Sequence, residues 1–231
     1  AIAVAATATT QNPFIQARLL AITQLAVFEA VNATAPRYEP YLGSIIAPAG
    51  ASAEAAAVAA AHGVLKHYLP GTAPPQDAAG VATLAPIADG PGKSGGISTG
   101  EAAAAAMILA RINDGSSPPA FSMPASTDPG VWQLTPGCPP LGGVFLHWRD
   151  VTPFGIDDAT GFISGPPPRL TSNRYTRDYD EVKRVGRIDS LERPQDRTDV
   201  ARLYAASSPS YVMNLAARQV SAQQARSLPH N

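Results

Sequence analysis

Residues 14–33 read FIQARLLAITQLAVFEAVNA, and this stretch decides the fold class. Ile15, Leu19, Ile22, Ala26 and Ala30 recur every three or four positions and form one stripe of a 3.6-residue period. Leu20, Leu25, Phe28 and Val31 widen that stripe around the cylinder. A helix apolar on so many sides is a central one that expects neighbours all round. Gln24 and Glu29 interrupt it and need partners if they are buried. Asn12 can cap its start and Pro13 suits its first turn, where a missing N–H is harmless. Pro36 ends it.

Working outward, residues 2–10 read as a short apolar helix. Ser52 caps a further helix to about Tyr68, stopped by Pro70-Gly71. Its 51–61 stretch is almost all alanine, which permits close helix–helix approach. Residues 75–88 predict a weaker helix. Ser98 and Glu101 have the spacing of a capping box, so a helix is expected from 98 to 113, stopped by Asp114-Gly115. The character then changes, since residues 116–172 hold eleven of the 23 prolines and no sustained period. They also carry Trp132, Phe145, Trp148, Phe154 and Phe162, so the reading is an ordered arm over the helices, with both tryptophans at least half-buried. Fifteen of the chain's 35 charged residues lie between Arg174 and Arg202. Helices are expected around Glu181–Val185 and from Pro194 to Ala206, then a loop over 208–216, then a helical stretch from Ser221 to Asn231 that stops unfinished. The expected fold class is all-α: a helix bundle with a long ordered Pro-rich arm. Its three segments are 1–115 (helical), 116–172 (the arm) and 173–231 (charged, helical and truncated).

Composition narrows the function. The 231 residues suffice to bury a sizeable core. Charged residues make up 15%, below the usual ~25%, and the net charge is −1, so no global field draws the chain to nucleic acid or an anionic membrane. Cys138 is the only cysteine, which excludes an intrachain disulfide and a cysteine-rich zinc site. Every long apolar stretch has polar interruptions, so no membrane-spanning helix is expected. The first residue is Ala1, so the amino terminus reads as processed, trimmed or incomplete.

Motifs with chemistry are few. The four histidines are His62, His67, His147 and His230. His62 and His67 are five apart, not the three or four of a helical metal pair, and read as ordinary helix histidines. His147, in His147-Trp148-Arg149-Asp150, reads as a packed loop anchor in preference to an oriented base. Gly90-Pro91-Gly92-Lys93-Ser94-Gly95 suggests a phosphate loop, but Ile87 stands where the first glycine belongs and no strand precedes it, so it reads as a turn. Asp157-Asp158 reads as a solvated turn, and the charge of 174–202 as a solvated helix face. A hydrolase built on His147 or Asp157 lacks a base–nucleophile constellation.

A resemblance spans nearly the whole chain. Ala17-Arg18-Leu19-Leu20-Ala21 leads into Phe28-Glu29-Ala30-Val31-Asn32, then Tyr38-Glu39-Pro40-Tyr41 and Tyr68-Leu69-Pro70. Asn113-Asp114-Gly115, Pro129-Gly130-Val131-Trp132, Thr135-Pro136 and Val151-Thr152-Pro153-Phe154 follow in order. Pro166-Pro167-Pro168, Leu170-Thr171-Ser172, Tyr175, Tyr179, Glu181-Val182-Lys183, Gly186 and Ser190 complete it. In this series the chain resembles the amino-terminal half of bacterial vanadium-dependent haloperoxidase-like proteins, relatives of the type 2 phosphatidic acid phosphatases (PAP2). The resemblance implies half of an all-α bundle whose whole holds vanadate or phosphate in a cage of Lys, Arg, Ser, Gly and His, for halide oxidation by peroxide or phosphate-ester hydrolysis.

The family's cage motifs are Lys-x6-Arg-Pro, Pro-Ser-Gly-His and Ser-Arg-x5-His. Arg193-Pro194 has Gly186 where the lysine belongs, with Lys183 three residues too early, and Leu228-Pro229 precede His230. No catalytic, cofactor-binding or metal residue is therefore carried over. The expectation is a non-catalytic helical part whose chemistry, and its vanadate or phosphate, belong to a missing carboxy-terminal half. The partner expected is that half or a symmetric copy, needed to cover apolar faces left open, chiefly on 14–33. The alternative is a free-standing helical binding or structural module. Export fits the family, though localisation stays open.

Overall fold

A computed structural model of the chain describes residues 12–43, 45–137 and 140–224. The expected helix at 2–10, Cys138, His230 and the last residues of the expected carboxy-terminal helix lie outside that range. The described residues form seven α-helices and no strand: α1 (Pro13–Thr34), α2 (Ala53–Tyr68), α3 (Ala73–Leu84), α4 (Pro91–Ala110), α5 (Asn173–Val185), α6 (Gln195–Ala206) and α7 (Pro209–Gln223). The protein is all-α. It divides into two compact units, Asn113–Ala205 on one side and Ala1–Ile112 with Ala206–Asn231 on the other.

The first unit is built on α1, α2 and α4, which pack on one another, with α3 against α2. Asn12 Oδ1 accepts from the N–H groups of Phe14 and Ile15 at 2.9 and 3.2 Å and caps α1, with Pro13 in the first turn. Ser52 Oγ caps α2 through the Ala55 N–H at 3.1 Å. The core holds Leu19, Leu20, Ile22, Ala26, Ala30 and Val31 from α1, Val64, Leu65 and a run of alanines from α2, and Ala103, Ala104 and Met107 from α4. α1 is long and apolar enough by length and composition to cross a membrane, yet half of its apolar window is buried inside the protein. Its buried polar groups find partners here: Thr23 Oγ1 donates to Leu19 O at 2.7 Å and Glu29 Oε1 accepts from Tyr41 N–H at 2.6 Å.

The seam between α2 and α4 is lined mostly by alanine and glycine. A Cβ on Gly96 would lie 2.4 Å from Ser52 O, and one on Gly100 would lie 2.3 Å from Ala56 O. Glycine is therefore required for the two backbones to approach this closely. This corrects the expected helix start: α4 begins at Pro91, not Ser98, and the Gly90–Gly95 segment enters its first turns. Gly90, at φ 148°, makes the entry that a side chain would forbid. Ser98 Oγ is no cap, because it donates back to Gly95 O within the helix.

A second correction concerns 208–216, expected as a loop. It lies in α7, with Pro209 in the first turn, and Ser221 falls near that helix's end. Ser208 Oγ donates to Gln16 Oε1 of α1.

In the Asn113–Ala205 unit the arm folds on itself. Ser122 and Gly143 exchange two backbone hydrogen bonds, at 2.9 and 2.6 Å, and Phe145 and His147, tilted to each other, both meet Trp148 edge-to-face. Trp148 is half-buried, but Trp132 is 52% exposed, slightly more than expected. α5 and α6 contribute no buried residue, and their ion pairs, such as Arg184–Glu192 and Arg187–Asp189, are solvated. Such pairs contribute little to stability. The open apolar surface lies elsewhere than expected. On α1, Leu19 and Leu20 are buried and Leu25 and Phe28 half-buried, whereas Ile188 and Leu191 are 98% and 100% exposed.

Candidate functional site

The polar residues that come together in the first unit do so across helices, which spacing within a single helix does not reveal. His62 lies on α2 and Asp77 in the first turns of α3, joined by the tight turn at Pro70–Thr72. That turn folds α3 back along α2, so His62 Nε2 stands 2.6 Å from Asp77 Oδ1. Lys66, one turn after His62, donates to the same oxygen at 3.3 Å. The His62 hydrogen bond, and after it that of Lys66, holds the Asp77 carboxyl below the usual aspartate range. An ionised carboxylate only accepts, so His62 Nε2 is the donor in this contact. Among the described residues no Ser, Thr or Cys is hydrogen-bonded to this ring, so the pair is an oriented imidazole without a nucleophile.

Two open cavities flank His62. One, of about 510 Å³, runs between α2, α3 and α4 past Lys66, Asp77 and Glu101. The other, of about 280 Å³, lies between α1, α2 and α3, with an apolar wall of Val27, Ala57, Val58, Ala61 and Leu65. Thr23, Gln24, Gln76 and Thr83 also line it. Gln76 is only 3% exposed, and its Nε2 donates to Thr72 Oγ1. Thr72 uses its own hydroxyl proton on Leu69 O at 3.0 Å. That fixes the amide orientation and leaves Gln76 Oε1 buried with no hydrogen-bond partner among the described residues. Such an orphan costs about 1–3 kcal/mol unless something supplies a donor.

A second polar cluster holds the loop after α1. Asn32 Oδ1 accepts from Arg37 N–H at 3.0 Å and Tyr38 N–H at 3.1 Å, while its Nδ2 donates to Tyr38 O at 2.8 Å. Glu29 holds Tyr41 N–H, and the nearly buried Arg111 donates to the Tyr41 hydroxyl. These are structural anchors, since every contact satisfies a backbone or side-chain group of the same loop. The next motif pair meets in the second unit, where Thr152 N–H donates to Asp114 O at 2.8 Å. Gly115, at φ +88°, sits where a Cβ would lie 2.8 Å from Asp150 O.

The other sequence candidates fall into place individually. His147 Nδ1 accepts from Ala120 N–H at 3.0 Å, which ties the arm together. His67 packs edge-on against Tyr68. Lys93 Nζ turns back to Asp89 at 2.8 Å and Ile87 O at 3.2 Å. Asp158 accepts from Thr160 N–H at 2.9 Å and from its hydroxyl, closing a turn. Arg193 donates to the carbonyls of Val185 and Arg187 and to Thr198 Oγ1. Its guanidinium braces the α5–α6 connection, and its fork is turned to neutral oxygens. The residues around it do not fit a caged oxyanion such as vanadate or phosphate.

The chain matches no family model, no curated protein and no solved structure.

Proposed function

We propose that this chain is the non-catalytic helical part of a vanadium-dependent haloperoxidase-like (PAP2 superfamily) protein. In this reading the oxyanion cage, and with it halide oxidation or phosphate-ester hydrolysis, is supplied by a further segment or chain. The supporting observation is that motifs scattered in sequence meet in pairs. Phe28–Asn32 anchors Tyr38–Tyr41 through Glu29 and Asn32, and Asn113–Gly115 anchors the Val151–Phe154 segment through Asp114 and Gly115. Residues that resemble a family and also brace one another read as a shared scaffold.

The test is to measure the mass of the native material and to titrate this chain with vanadate. Expected are a polypeptide or stable complex larger than 23.9 kDa, and neither vanadate uptake nor peroxidase or phosphatase turnover by the chain alone. A native species of this chain alone, or vanadate-dependent turnover by it, overturns the proposal. The second reading, a free-standing helical binding module, is favoured by one observation: the 280 Å³ cavity with its orphaned glutamine.

A further inference from the structure

We propose that the cavity between α2, α3 and α4 binds a small amine with a hydrocarbon body, its ammonium head near Asp77 and Glu101 and its body against Val58, Leu84 and Ile97. This goes beyond the scaffold role and holds whether or not a catalytic segment accompanies the chain.

The register of the three helices sorts the lining into two ends. α4 runs parallel to α2: a Cβ on Gly96 would meet Ser52 and Ala55, one on Gly100 would meet Ala56 and Ala59, and one on Gly63 would meet Ala104. α3 runs antiparallel to α2, because Asp77 bonds His62 and Lys66 while Gly80, further along α3, lies against the His62 ring. Leu84, one turn beyond Gly80, is therefore level with Val58, one turn before His62, and Ile97 lies at that same end. That end is apolar. The opposite end carries His62, Lys66 and Asp77, and Glu101, one turn after Ile97, stands between the two. A cavity graded in this way fits a molecule with an apolar body and a charged head.

The lining also sets the sign of that head. Two carboxylates, Asp77 and Glu101, face one lysine, Lys66. His62 and Lys66 both bond Oδ1 of Asp77, so its Oδ2 has no hydrogen-bond partner among the described residues, and Glu101 pairs with no described cation. An ammonium group, with several donors, meets unused acceptors there. A carboxylate meets two like charges for one ammonium. These groups are open to a ligand, since the side chains of Asp77 and Lys66 are 46% and 54% exposed and Glu101 is exposed as well. The volume of about 510 Å³ lies in the range of small-molecule sites, which are mostly apolar with a few polar groups that fix orientation.

The experiment uses the full chain with three probes that share one hydrocarbon body: phenethylamine, phenethyl alcohol and hydrocinnamate. Binding is read at low ionic strength from chemical shifts of the Val58, Leu84 and Ile97 methyl groups. The amine is expected to bind about fivefold tighter than the alcohol, and the carboxylate weakest of the three. Salt at about 0.5 M should erase the amine's lead, because exposed charges are screened. Glu101→Gln, at an exposed position, should lower amine affinity about threefold and leave the alcohol unchanged. Leu84→Ala should weaken amine and alcohol alike. Equal affinity for amine and alcohol, tightest binding of hydrocinnamate, an amine affinity indifferent to Glu101→Gln, or no shift with any probe overturns the proposal.

Discussion

Asp77 is the residue on which α2 and α3 meet electrostatically. Its carboxyl is held below the usual aspartate range first by His62 and then by Lys66. A carboxylate lowered in the folded state stabilises the fold above its unfolded value, near 3.8, and that contribution is lost as the pH falls through the lower folded value. Acidification from about pH 5 to about pH 2 should therefore lower the Tm of the native protein more steeply than that of Asp77→Asn, which has no proton to take up. Parallel Tm–pH curves would show that the contact is not ionic. The difference should be modest, because both basic partners and Asp77 itself remain partly in water. At this scale the sequence is half legible. Glu29 announces itself as a carboxylate in an apolar stripe that needs a partner, but the partner, Tyr41 N–H, lies in an irregular loop that no period predicts. His62 looks ordinary when weighed only against its own helix. The signal that finds the pair is the tight Pro70-Gly71 turn, which makes the first acidic residue of α3 a neighbour of the last turns of α2.

Glycines decide the element scale. Each glycine inside a helix costs about 1 kcal/mol relative to alanine, and the Gly90–Gly95 segment, read from sequence as a turn, is in fact the start of α4. Packing outweighs that cost, because Gly96 and Gly100 let α4 lie directly on the backbone of α2. Gly100→Ala and Gly96→Ala should each destabilise the protein by about 2 kcal/mol, overpacking outweighing the gain in helix propensity. Gly80→Ala on α3, whose Cβ would meet only the His62 ring at 3.6 Å, should be neutral or stabilise by up to about 1 kcal/mol. Urea denaturation of the three variants checks the ranking; a stabilised Gly100→Ala would mean that the seam is looser than described. The start of α7 escapes a sequence reading for a related reason. Pro209 reads as loop punctuation, although proline is equally at home in a helix's first turn. The strongly periodic α1, by contrast, is legible to its last residues, because a long apolar stripe leaves one solution.

For the whole molecule, every buried hydrophobic residue among those described comes from α1, α2 or α4, and none from Asn113–Ala205. Local stability follows buried contacts. Amide exchange should therefore be slowest in α1, α2 and α4 and faster by orders of magnitude in α5 and α6. Hydrogen-exchange mass spectrometry checks this, and comparable protection in α5 would show that the charged segment has cooperative support of its own. All-α character is readable directly from residues 14–33, and the division of labour between the units is not. The arm carries enough aromatic side chains to suggest a core, but Trp132 is only about half-buried, and backbone pairing such as Ser122 with Gly143 adds to the Phe145–His147–Trp148 cluster.

The alanine–glycine seam between α2 and α4 has a thermal consequence. Unfolding it wets a larger share of peptide groups than unfolding a leucine-packed seam would, and apolar and polar surface carry opposite heat-capacity signs, about +0.45 cal/K/mol per Å² and about −0.26. A central seam of this composition pulls the heat-capacity change of unfolding below that of a leucine-rich bundle of equal length. The stability curve is correspondingly flatter, with the cold and hot limits of the folded state set farther apart.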